Sequence, residues 1–123
     1  MQDKIKLLLV DDEDSLRSIM KDELIHQGYE VSDAESGSAA LDILKKNRHD
    51  VVILDIRMEG MDGLEVLKKI RKDNLANKVI MLTGVEEMKI AKESVELGAN
   101  DFMTKPFQFQ NLFACIKRVM KEV

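Results

Sequence analysis

Short apolar runs alternate along this chain with stretches in which apolar residues recur every three or four positions. Leu7-Leu8-Leu9-Val10, Val51-Val52-Ile53-Leu54 and Val79-Ile80-Met81-Leu82 are unbroken by a polar residue, the pattern of strands buried on both faces. Strands are predicted at about 5–10, 29–34, 51–54, 78–82 and 101–103. Helices are predicted at about 14–27, 37–47, 63–73, 86–97 and 108–121. The inward stripes are Leu16, Ile19, Met20 and Leu24, then Ala40, Leu41 and Leu44, then Leu64, Leu67 and Ile70. Ala91 and Val95 serve the fourth helix, and Leu112, Ile116, Val119 and Met120 the fifth. Gly28 and Gly98 stand where helices end, and Ser36 where one begins.

This alternation predicts an α/β fold. Residues 1–123 form one domain, a (βα)5 doubly wound parallel five-stranded sheet with helices on both faces. Right-handed crossovers leave few strand orders, and the flavodoxin-like order 2-1-3-4-5 is the common one at this size. In that order the first and third strands are neighbours. Asp11-Asp12 follow the first and Asp55 ends the third, so three acids meet at the carboxyl edge, where open α/β sheets bind ligands.

Composition removes several function classes. A formal net charge of −4 argues against direct nucleic-acid binding, which needs a basic stripe. No apolar run approaches the ~20 residues of a membrane span. The N-terminus carries too many acids for a signal peptide. The single cysteine, Cys115, leaves no intrachain disulfide, fits a reducing cytoplasm and reads as a small core residue of the last helix. His26 and His49 have no Cys or His neighbour and are read as solvated residues at helix ends, not as zinc ligands.

Three converging carboxylates repel one another unless a cation holds them, and hard oxygens with few other ligands suit Mg²⁺. For Asp12 alone, capping the following helix is an equal reading. Two more strand ends, Thr83-Gly84 and Thr104-Lys105-Pro106, fall on the same edge. A hydroxyl, an ammonium and a divalent cation around a carboxylate suit phosphoryl transfer, with the solitary Asp55 as nucleophile. Pro106 is the only proline; a cis bond aiming Lys105 inward and a plain trans proline before the last helix are both open.

Asp11-Asp12, Asp55, Thr83 and Lys105-Pro106-Phe107, with Met61-Asp62-Gly63 and Leu97-Gly98-Ala99, resemble the receiver domain of two-component response regulators over essentially the whole chain. The resemblance implies a cytoplasmic signalling module that is not an enzyme but assists its own phosphorylation and dephosphorylation. It implies Asp55 as phosphoacceptor and Mg²⁺ (or Mn²⁺) held by Asp11, Asp12, Asp55 and the Arg57 backbone carbonyl. Thr83 and Lys105 would bind phosphoryl oxygens across a cis Lys105–Pro106 bond, and Phe102 would be the switch aromatic. Being Phe and not Tyr, Phe102 would signal by packing alone. The implied partners are a sensor histidine kinase or phosphotransfer protein, plus a downstream protein target or an effector domain outside this chain. The output face would combine the fourth helix, last strand and last helix.

The chain departs from the family pattern at three places. Glu59 replaces the proline usual after the acceptor, which implies a looser loop. Its carboxylate stands either in solvent or within reach of Lys105 or the metal. Arg57 and Val85 border the path of water to an acyl phosphate and cannot act as bases, implying slow self-dephosphorylation. Cys115 replaces an arginine of winged-helix regulators, which disfavours their mode of dimerisation. Two rivals are a haloacid-dehalogenase-type phosphohydrolase, disfavoured because Arg57 stands where its second acid belongs, and a phosphorylation-independent binding module. The chain is expected to be a stand-alone regulator or a receiver cut from a longer protein.

Overall fold

The computed structural model describes residues 4–122. Strands β1 (Lys6–Val10), β2 (Glu30–Ala34), β3 (His49–Asp55), β4 (Ala76–Thr83) and β5 (Asp101–Thr104) form one sheet in the order β2-β1-β3-β4-β5. Every pairing is parallel. Between them run α1 (Asp14–His26), α2 (Gly37–Lys46), α3 (Gly63–Asp73) and α4 (Met88–Glu96), with α5 (Phe109–Lys121) at the end.

The apolar runs become the inner strands because both of their faces are covered. Leu8, Val10, Val52, Leu54, Val79 and Met81 pack against α2, α3 and α4 through Leu41, Leu44, Val66, Leu67, Ile70 and Ala91. Leu7, Leu9, Val51, Ile53, Ile80 and Leu82 pack against α1 and α5 through Met20, Leu24, Leu112, Ile116 and Val119. Each fully buried Leu or Ile contributes roughly 1.5–3 kcal/mol of transfer free energy. Local signals set the helix ends. The Ser36 side chain accepts from the Ala39 N–H at 3.1 Å, and the Asp62 side chain accepts from Glu65. Gly28 (φ +99°) and Gly98 (φ +110°) take the left-handed conformation just past α1 and α4, the usual C′ role of glycine.

Three sequence expectations are corrected. Ile19 is 52% exposed and Val95 44% exposed, not core. Helix α1 rests on the sheet through Leu16, Met20 and Leu24, one position every four, and Ile19 falls to the side of that narrow line. On α4 the inward neighbours are Ala91 and Ser94, and the Ser94 hydroxyl is satisfied by the Ala91 carbonyl at 2.5 Å. His49 is buried, not solvated: β3 starts two residues before its apolar run, and His49 pairs with Ala76 on β4. Its Nδ1 lies 2.8 Å from the Asn47 carbonyl. Helix α4 also starts later than expected, because Val85–Glu87 form a separate 3-10 turn.

Candidate functional site

Strands β1 and β3 lie side by side with Val10 opposite Leu54, so Asp11 and Asp12 leave β1 next to Asp55. One oxygen from each of the three carboxylates lies within 4.8 Å of the others. Asp11 and Asp55 are buried and Asp12 is exposed at the mouth. Each inner acid turns one oxygen back to the amide two residues on. Asp11 Oδ1 accepts from the Glu13 N–H at 2.9 Å, and Asp55 Oδ1 from the Arg57 N–H at 3.1 Å. Their Oδ2 atoms meet at Lys105, whose Nζ lies 3.0 Å from Asp11 and 2.7 Å from Asp55. The residue capping α1 is Glu13, so Asp12 is not spent there; its Oδ2 accepts from the Glu59 N–H at 3.4 Å.

Burial pushes the Asp55 carboxyl above its ordinary range and the neighbouring Asp11 charge adds to the rise, while Lys105 and the Arg57 amide oppose it. Burial works to lower the Lys105 ammonium, but the bonds and charges of Asp55 and Asp11 outweigh it and raise its pKa. Three ionised carboxylates facing one ammonium leave a surplus of two negative charges (3 − 1). Hard oxygen donors carrying that surplus fit a divalent cation of the Mg²⁺ type.

The remaining expected residues surround this cluster. Thr83 ends β4, is fully buried, and donates its hydroxyl to the Gly84 carbonyl at 3.1 Å. The Lys105 N–H donates to the Thr83 carbonyl at 2.7 Å, and the Lys105–Pro106 peptide bond is cis. Phe102, half-buried opposite Met81, packs on the face covered by α2, α3 and α4. Val85 is 67% exposed on the rim of a groove that Lys105 also lines. Glu59 is exposed beside Asp12, Asp14 and Glu35, while Lys105 is paired with Asp11 and Asp55. Gly63 permits the close approach that seats Asp55: a Cβ there would lie 2.4 Å from the Asp55 carbonyl oxygen and 2.7 Å from Ile56 Cα.

Of the ion pairs that escaped the sequence reading, two groups flank the acid cluster. Arg17 donates to Asp33 at 2.9 Å, to the Asp11 carbonyl at 2.7 Å and to Asp14 at 2.8 Å, tying the acid-bearing loop to α1 and β2. The Asp14–Arg17 spacing of three was a visible helix signal, but Asp33 was not. Glu87, buried in the 3-10 turn, pairs with Arg57 at 2.8 Å. Sequence alone offered Glu86 and Glu87 without indicating which turns inward.

The response regulator receiver domain model matches residues 7–117. Sporulation initiation phosphotransferase F of Bacillus subtilis (strain 168) is 36% identical over 115 residues, covering 94% of this chain and 93% of that protein. Uncharacterized transcriptional regulatory protein YkoG of the same organism is 32% identical over 120 residues, covering 98% of this chain. The chain spans only 53% of YkoG, about half its length. The receiver domain of NtrX from Brucella abortus aligns with a TM-score of 0.90 at 30% identity, covering 95% of this chain and 99% of that one. Among the described residues no helix is long and apolar enough to cross a membrane. With the sheet order, the acid cluster and the family model in agreement, the chain belongs to the receiver domains of two-component response regulators.

Proposed function

We propose that Asp55 is the phosphoacceptor of this receiver domain and takes its phosphoryl group from the phosphohistidine of a sensor histidine kinase or phosphotransfer protein. The observation that carries this reading is the Asp55 carboxylate at the sheet edge, with Lys105 at 2.7 Å and Asp11 and Asp12 clustered beside it. An Asp55 oxygen attacks phosphorus, and a P–O bond forms as the P–N bond to the donor imidazole breaks. The electron pair stays on the ring nitrogen. Lys105 neutralises a phosphoryl oxygen, and Thr83, one strand away, supplies a hydroxyl to another. Asp11, Asp12, Asp55 and the Arg57 carbonyl would hold Mg²⁺ (or Mn²⁺), which supplies further charge neutralisation at phosphorus.

The donor's approach is supported by an apolar groove of about 600 Å³ beside Lys105, lined by Leu16, Ile19, Val85, Pro106, Phe107 and Phe109. Phosphorylation would draw Thr83 inward and let Phe102 repack, biasing the α4–β5–α5 face toward a protein target or an effector domain. Arg57 and Val85 offer water no base, which supports a long-lived phosphoryl group.

The test is intact mass after incubation with acetyl phosphate and Mg²⁺, beside Asp55→Asn. One added phosphoryl group in the wild type, lost with EDTA or with the substitution, is the expected result. No adduct together with no binding of beryllofluoride would overturn the reading in favour of a phosphorylation-independent binding module.

A further inference from the structure

Among the described residues, the phosphoacceptor reading leaves one buried carboxylate without a role. Glu87 is 7% exposed and lies in the turn between β4 and α4. Its Oε2 is 2.8 Å from Arg57 Nε, and its Oε1 accepts from the Gly84 N–H at 3.2 Å. Arg57 belongs to the loop that leaves Asp55, and Gly84 directly follows Thr83. A single carboxylate therefore joins the two loops that flank the acceptor. Resting on the assignment of Asp55, we propose that Glu87 is a positioning residue that holds Arg57 and the Gly84 amide in the unphosphorylated arrangement and releases Arg57 to the phosphoryl group once Asp55 is modified.

The two ends of Arg57 are held differently. Its backbone N–H is fixed on Asp55 Oδ1 at 3.1 Å, while its side chain is 73% exposed and meets little steric resistance to swinging. A guanidinium matches the paired oxygens of a phosphoryl group, which brings roughly −1.5 to −2 charge at neutral pH against the single charge of Glu87. Transfer of Arg57 would leave Glu87 buried with one backbone donor. A buried carboxylate without a counter-charge is strongly unfavourable, so segment 84–88 would turn Glu87 toward water. A hollow of about 220 Å³ bordered by Ile56, Met58, Leu64 and Ile90 lies against the pair and gives that segment room. The turn leads into α4, so charge at Asp55 would reach the output face by a route additional to Thr83.

The experiment follows the Arg57 Nε–Hε signal and the backbone amides of the full chain by NMR, with and without Mg²⁺ and beryllofluoride, in the wild type and in Glu87→Gln. Arg57 Nε–Hε is expected to shift on loading. In unloaded Glu87→Gln the amides of 84–88 should move toward their loaded wild-type positions, and beryllofluoride should bind about threefold more tightly because a competitor for Arg57 is gone. A purely structural Glu87 would instead weaken binding as it lowers the melting temperature, and that outcome overturns the proposal. So does an unmoved Arg57 signal in wild type whose Thr83 and Lys105 amides do shift, a result needing no variant to fold. If the Thr83 and Lys105 amides are also silent, the assignment of Asp55 itself falls.

Discussion

The Lys105 ammonium lies 2.7 Å from Asp55 Oδ2, a contact between residues 50 positions apart that closes the acid cluster from the β5 side. The same ammonium is 3.0 Å from Asp11 Oδ2, so one cation bridges two buried carboxylates and offsets only part of their charge. Lys105→Met should therefore destabilise the protein in EDTA at pH 7 by roughly 2–4 kcal/mol, somewhat below the cost of breaking a fully buried pair because the Lys105 side chain is partly exposed. Mg²⁺ should restore more stability to the variant than it adds to the wild type, since a divalent ion takes over the neutralisation. Urea midpoints with and without Mg²⁺ measure both effects; an equal response of the two proteins would contradict this account.

Gly63→Ala tests how Asp55 is seated. The new methyl would meet backbone of Asp55 and Ile56, which cannot move aside as a flexible side chain does. An overpacking cost of about 1–3 kcal/mol is expected, together with weaker Mg²⁺ binding as the end of β3 shifts. Retention of the wild-type urea midpoint would show that α3 adjusts instead.

Asp33 sets an acid limb on stability. Burial alone would raise its carboxyl, but hydrogen bonds and charges from Lys21 and Arg17 outweigh that and hold it below its ordinary value. A lowered folded pKa favours the ionised form in the native state. The contribution is therefore full above the unfolded value of about 4 and is lost as pH falls through the lower folded value. Asp33→Asn should cost about 1 kcal/mol at pH 7, and the gap should close in strong acid. Thermal unfolding from pH 7 down to pH 3 reads the difference.

Cys115 should be chemically quiet. Burial, with a smaller push from Asp101, raises its thiol to about 11. At pH 8 only about one molecule in a thousand would carry the reactive thiolate, and the residue is 2% exposed. A disulfide-exchange reagent should react slowly with native protein and quickly after denaturation. Fast reaction in native buffer would count against the packing of α5 on the sheet.

The sequence by itself determined the strand and helix order, the caps at Ser36, Gly28 and Gly98, and the delivery of Asp11, Asp12 and Asp55 to one sheet edge. Those are short-range properties: an unbroken apolar run must be covered on both faces, and its last residue must emerge at the strand end. The tertiary structure alone decided which side of each apolar stripe finds a neighbour, leaving Ile19 and Val95 in solvent and burying His49. It also decided that Arg57 reaches Glu87, 30 positions away, and that Arg17 reaches Asp33, 16 away. Arg71 likewise spends its guanidinium on the carbonyls of Gly98, Ala76 and Asn77 and on the Asn100 side chain. A charged side chain several bonds long can serve many partners on paper. Which one it takes depends on how loops converge after the core has packed, and that convergence is a property of the assembled sheet rather than of any segment.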